Sequence, residues 1–300
     1  MTNLSFFFEV LIGGLLAGVM YSLVALGFVL IYKASGVFNF AQGAMVFFAA
    51  LTFVSLVERG VNFWIALVIT LAVMVVLGIS IEKVVLRPLV NQPPITLFMA
   101  TIGLTFVLEG LSQLIWGSQP HLLELGIQDV PMEWLVQSTG MVISQTDVFA
   151  AGIAGILVAA LALFFQYTRI GRALRAVADD HQAALAVGIP LKHIWAIVWA
   201  VAGFVALVAG LMWGARNGVQ FALTFIALKA LPVLILGGFE SIPGAIVGGL
   251  IIGASEKLAE VYIGPMVGGG IESWFAYVIA LLFLLVRPQG LFGEKIIDRV

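Results

Sequence analysis

Residues able to do chemistry are scarce in this chain, and many of them fall in one island, "GRALRAVADDHQAALAVGIPLKH", residues 171–193. It gathers Arg172, Arg175 and Lys192, the adjacent acids Asp179 and Asp180, and His181 and His193. Such a mixture could hold a metal, move protons or dock a partner. The three histidines of the chain are scattered without an HExxH pair, and there is no cysteine, so neither a metal site nor thiolate chemistry is expected. No stretch assembles a nucleophile, a base and oxyanion donors, so the chain does not read as an enzyme. No G-x-x-x-x-G-K-[ST] occurs, so the chain carries no P-loop. Docking is left. Asp180 can N-cap a short helix whose first turn holds His181, Gln182 and Ala183, with Gly188 as its C-cap glycine and Pro190 as a stop. Ala183, Ala184 and Ala186 would give that helix a smooth surface suited to a partner's groove. The alternative is an interfacial loop whose arginines meet anionic lipid headgroups.

Three further places hold polar groups among apolar neighbours. In "ASGVFNFAQGA" (34–44), Asn39 at N-cap and Gln42 at N3 form a pattern like a capping box. The same side chains could instead line a passage where broken helices approach the membrane midplane. In "FALTFIALKALPVLILGGFESIPGA" (221–245), Lys229 sits within an apolar run, where a lipid-facing charge costs about 2.5–3.5 kcal/mol at a helix centre. It could pair with Glu109, the acid inside the fourth predicted span, or snorkel to the interface. Ser241 reads as an N-cap with Pro243 in the first turn. Gly237, Gly238, Gly244, Gly248 and Gly249 suit close helix packing. Glu256, Lys257 and Glu260 fall at the predicted outer end of a span, either as a solvated helix end or as rim contacts to a partner.

The elements that position these groups follow from composition. Hydrophobic residues make up 62 % of the 300 positions and charged residues 10 %, against about 45–50 % and about 25 % in soluble domains. The chain therefore reads as an all-α, polytopic integral membrane protein. A net charge of −2 does not suggest a nucleic-acid partner. The apolar run from Phe6 to Tyr32 lacks a basic n-region and is too long for a signal sequence, so it reads as a retained first span. Spans are predicted at roughly 8–31, 37–57, 63–81, 95–116, 148–167, 194–213, 221–236, 244–259 and 274–286. The seventh and eighth are short and rich in Gly and Pro, which suits broken or re-entrant helices over full spans, so the count is about eight to ten. The loop 117–146 holds acids and no Lys or Arg, which places it outside; the loop 168–193, with Arg169, Arg172, Arg175 and Lys192, lies in the cytoplasm. Lys83, Arg87, Arg287, Lys295 and Arg299 agree, and the C-terminus falls inside. Trp64, Trp116, Trp134, Trp213 and Trp274 sit near span boundaries, as an aromatic belt would. "NFAQGAMVFFAAL" (39–51) is loosely similar to "ESIPGAIVGGLII" (240–252), which suggests an internal duplication.

The run Gln182-Ala183-Ala184-x-x-x-Gly188 resembles the E-A-A-x-x-x-G cytoplasmic loop of binding-protein-dependent ABC importer permeases, with Gln in place of Glu. More specifically, "YTRIGRALRAVADDHQAALAVGIP" (167–190), "GVMYSLVALGFVLIYKASGVFNFAQGAMV" (18–46), "LKALPVLILGGFESIPGAIVGGLIIGASE" (228–256) and "RPQGLFG" (287–293) resemble permease subunits of high-affinity branched-chain amino acid ABC importers. The resemblance runs in the same order over nearly the whole chain. It implies a single permease domain over residues 1–300 in a bacterial inner membrane, with loop 117–146 periplasmic. The coupling loop would be 168–193, with Asp180, Gln182, Ala183, Ala184 and Gly188 seated in a cytoplasmic ATPase. It implies two ATPase subunits that bind ATP and Mg, none of which this chain would hold itself. A periplasmic binding protein and a second, related permease subunit complete the assembly, in contact with membrane lipid. The solute implied is a branched-chain or other hydrophobic amino acid, with urea, amides and small aromatic acids as alternatives and an ion-coupled secondary transporter as the rival class. Asn39, Gln42, Glu109, Lys229 and Ser241 are the expected path residues. Related permeases often carry "NFAHGE" where this chain has Gln42 and Ala44, which puts solute contacts carried over at that place in doubt.

Overall fold

The computed structural model describes residues 3–89, 92–127, 129–179 and 181–293, without the side chains of Asn3, Pro94, His181 and Gln182. Among them there is no β-strand, only two isolated bridges, His121–Val219 and Pro131–Ser144. The helices are α1 (Asn3–Ser35), α2 (Gln42–Glu58), α3 (Phe63–Ser80), α4 (Pro94–Trp116), α5 (Glu133–Thr139), α6 (Gln145–Tyr167) and α7 (Arg169–Asp179). They continue with α8 (His181–Ala186), α9 (Leu191–Asn217), α10 (Ile226–Gly237), α11 (Ile242–Tyr262), α12 (Gly264–Val267) and α13 (Glu272–Val286).

Among the described residues, six helices are long and apolar enough to cross a membrane: α1, α3 with its continuation to Leu89, α4, α6, α9 and α11. Three shorter apolar helical stretches, Gln42–Glu58, Phe221–Gly237 and Glu272–Val286, fall on the remaining predicted spans. The protein is an all-α polytopic membrane protein. The seventh predicted span is broken as expected, into a 3-10 turn, Phe221–Phe225, and α10. The eighth departs from expectation, because α11 is an unbroken 21-residue helix. Its glycines serve packing and do not interrupt it.

By packing, the chain divides into two compact units, one of residues 1–26, 126–159 and 228–300, the other of residues 27–125 and 160–227. In the first, α1 and α11 meet along a glycine seam. A Cβ on Gly18 would come 2.5 Å from the Gly249 carbonyl oxygen, and one on Gly14 2.7 Å from that of Gly253. Without a hydrophobic drive between helices in lipid, such close approach supplies the van der Waals contact that holds them. Ser22 adds a hydroxyl bond to the Ile246 carbonyl, 3.3 Å. Pro232 lies inside α10 and can give no amide to the Leu228 carbonyl one turn earlier. The Tyr277 hydroxyl of α13 donates to that carbonyl instead, at 2.6 Å. The segment after α13 returns to the end of α10, where the Leu291 and Phe292 amides donate to the Leu236 and Gly237 carbonyls.

In the second unit α9 is the central helix, packed on both α2 and α3. Three glycines set the spacing. Gly203 faces the Met74 carbonyl, Gly210 that of Val46, and Gly78 that of Trp199. Trp199 is wholly enclosed, and Trp195 donates its indole N–H to the Ala34 carbonyl at 2.8 Å. Trp64, Trp134 and Trp274 are exposed, as boundary anchors would be. Trp213 is not; it is 6 % exposed, with the Arg216 guanidinium over its ring, so it belongs to the core.

Candidate functional sites

The 171–193 island forms two helices. α7 is strongly amphipathic and buries Gly171, Leu174 and Val177. Two of its arginines, Arg172 and Arg175, have protein partners where lipid headgroups were an option. Arg175 donates to the Phe165 and Gln166 carbonyls at 2.9 and 3.2 Å, and Arg172 to that of Tyr167 at 3.2 Å. These are the orphan acceptors at the end of α6, so the arginines cap that helix.

α8 ends as the sequence predicts. Gly188 has φ +85°, its amide donates to the Leu185 carbonyl, and that of Ile189 donates to the Ala184 carbonyl. This pair of bonds is the Schellman motif, and the left-handed residue within it favours glycine. Asp180, the expected N-cap, lies outside the described residues, as does the Gln182 side chain. The expected smooth alanine surface is only partly present. Ala183 is exposed, whereas Ala184 is 2 % exposed and turned into the protein. The side chains that protrude are Leu185 and Val187. A helix of one and a half turns with a tight glycine end must show a different face at each position, and the spacing alone does not choose which.

Asn39 and Gln42 form a closed polar knot. Asn39 Oδ1 accepts from the Ala41 amide at 3.1 Å, and Nδ2 of the same side chain donates to Gln42 Oε1 at 3.2 Å. Gln42 Nε2 donates to the Ala202 carbonyl of α9 at 3.4 Å. Both residues are fully buried. The capping-box reading is therefore corrected: α2 begins at Gln42, and the Gln42 side chain reaches α9 where the box would have it reach the Asn39 amide. Gly27 leaves room for this amide, since a Cβ there would lie 2.6 Å from Gln42 Nε2. From α4, Thr101 ties down the same loop by bonding the Phe38 carbonyl and the Phe40 amide.

Lys229 has its partner within its own unit. Its Nζ lies 2.6 Å from Glu256 Oε1 and 2.9 Å from the Glu272 carbonyl. The Tyr21 hydroxyl donates to the same Glu256 oxygen at 3.2 Å. The ion pair is with Glu256, so the expected pairing with Glu109 is replaced. The solvated-end reading of 256–260 is also corrected. Glu256 is 1 % exposed, Lys257 pairs with Glu272 at 2.9 Å, and Glu260 accepts from the Gly270 and Glu272 amides at 2.9 and 2.8 Å. Glu260 thus caps the start of α13 from a neighbouring helix. Burial of Glu256 had a signal in the sequence: it continues the Gly249, Gly253 stripe at helical spacing. Ser241 is the N-cap of α11, accepting from the Gly244 amide at 2.9 Å, with a proline in the first turn.

Multiple membrane-length helices, a buried charge neutralised by protein partners and an amphipathic segment leading into a short turn define a polytopic membrane protein. Residues 10–287 match the model of the branched-chain amino acid transport system permease component. The chain belongs to that family. It is 28 % identical to the high-affinity branched-chain amino acid transport system permease protein LivH of Salmonella typhimurium, over 98 % of each chain. It is likewise 28 % identical to BraD of Pseudomonas aeruginosa, over 100 % of each. Among solved structures, PsaBC from Streptococcus pneumoniae in complex with Fab matches with a TM-score of 0.50 at 14 % identity, covering 93 % of this chain and 92 % of that one. That likeness concerns the fold alone.

Proposed function

We propose that this chain is the membrane-spanning permease subunit of an ATP-driven importer for branched-chain or similar aliphatic amino acids. The observation that carries the reading is the family match from residue 10 to 287, together with relatives of that function matched end to end. ATP and Mg would be bound by partner ATPase subunits in the cytoplasm, and a binding protein would present the solute on the other side. A second, related permease subunit would complete the path. The basic segments 83–87 and 169–192 favour placing α8 in the cytoplasm of a bacterial inner membrane, with 117–146 on the periplasmic side.

In the docking role, α8 offers Ala183, Leu185 and Val187 to the ATPase, and Ala184 anchors it to the permease. The Schellman end fixes the angle at which those groups are held. The test is purification from solubilised membranes followed by reconstitution. ATPase subunits should accompany the chain, and uptake of leucine should need ATP and stop with vanadate. Uptake driven by a proton or sodium gradient and indifferent to vanadate would overturn the proposal.

A further inference from the structure

We propose that the cavity walled by Asn217, Gly218, Gln220, Ala222, Leu223 and Ile226 is a solute subsite, taking one small zwitterion with an aliphatic side chain. This rests on the transport reading above and adds the residues that would touch the solute. The cavity measures about 340 Å³, near the floor of the roughly 300–1,000 Å³ usual for small-ligand sites. It has room for one amino acid.

Its lining is divided by chemistry. Asn217 and Gln220 are exposed and bring amides; Leu223 and Ile226 are buried and form an apolar floor. An amide carries both an acceptor and two donors, so the pair can answer an ammonium and a carboxylate together. Gln220 Nε2 donates to the Asn217 carbonyl at 3.3 Å, which orients the side chain and leaves Oε1 toward an ammonium. No charged side chain is among these lining residues. A solute held by amides alone is held weakly, and a transport path needs solute to leave as readily as it arrives.

The walls are held in place. Gly218 has φ +75°, and Val219 exchanges two backbone bonds with His121, at 2.9 and 2.8 Å. The 3-10 turn Phe221–Phe225 lies directly on Gly43 of α2, where any Cβ would strike the Thr224 carbonyl. These constraints fix the turn from two other parts of the unit, as a site that must keep its shape requires.

The absence of cysteine makes the test direct. Ala222→Cys, and separately Gln220→Cys, would be made in the assembled transporter and labelled with a maleimide, with and without millimolar L-leucine. Val142→Cys, on an exposed site elsewhere, is the control. Leucine should slow labelling at both cavity positions several-fold, glycine should slow it less, and Val142→Cys should be unaffected. Equal rates with and without leucine at both cavity positions would overturn the subsite. Uptake measured on the unsubstituted complex separates the two ideas. Unprotected cysteines with leucine uptake intact sink the subsite alone, whereas loss of ATP-dependent uptake of any aliphatic amino acid sinks the importer reading.

Discussion

Lys229 Nζ and Glu256 Oε1 stand 2.6 Å apart, with the carboxylate almost wholly enclosed and the Tyr21 hydroxyl on the same oxygen. The pair joins α10 to α11 and, through Tyr21, to α1. Removing one member leaves the other charge buried alone, which costs about 3–5 kcal/mol; removing both can be nearly neutral. Lys229→Met and Glu256→Gln should each lower the thermal midpoint of the detergent-solubilised protein sharply. The double variant should recover most of the loss. Additive losses in that double-mutant cycle would mean the two groups act independently.

The α1–α11 seam gives a second expectation. Gly18→Leu forces a side chain into the Gly249 backbone, and overpacking of this kind costs about 1–3 kcal/mol or more. Gly13→Leu on the same helix meets nothing within 4 Å and should be tolerated. Comparing the folded fraction of the two variants by size-exclusion chromatography checks the seam, since equal behaviour would place it elsewhere.

Substitutions at α8 should separate by exposure. Ala184→Arg puts a charge into packed protein and should reduce the amount of folded permease. Val187→Arg projects outward and should leave the permease folded while reducing co-purification of the ATPase. Folding is read by monodispersity and coupling by recovered ATPase. A Val187→Arg complex of full ATPase content would remove this face from the docking surface.

The Asn39–Gln42 knot predicts a cost without a change of shape. Gln42→Leu removes the side-chain bond to the Ala202 carbonyl and leaves Asn39 Nδ2 with only the Met45 sulfur in a buried place, a loss of about 1–3 kcal/mol. Gln42→Glu cannot donate to Ala202 and should lose stability too. Thermal unfolding of the two variants checks this, and an unchanged midpoint in both would mean that water replaces the amide.

Spans were legible because lipid imposes one rule on every crossing segment: about 20 apolar residues with all backbone bonds made internally. Gly188 and Ser241 were legible because caps are local chemistry. Partners across long sequence distances were not. Lys229 could be seen to need a counter-charge, but the sequence pointed to Glu109, and helix packing chose Glu256, which read as a helix end. Asn39 and Gln42 had the spacing of a capping box, yet a neighbouring helix supplied a better acceptor at Ala202. The RPQGLFG ending was visible only as a resemblance. In the fold, its Gly290 comes so close to Gly238 that a Cβ would lie 2.7 Å from the Gly238 amide nitrogen.

The unit that begins at the N-terminus is finished only by the C-terminal third of the chain. Tyr21 and its partner Glu256 are separated by 235 positions, an interval of roughly ten seconds or more at synthesis rates of about 5–20 residues per second. Through that time the glycine face of the first helix is without its α11 partner. Insertion machinery must shelter it, or an early helix must serve as a stand-in neighbour. A chain cut short before α11 would leave that face permanently open, marking it for the proteases that clear unassembled membrane segments.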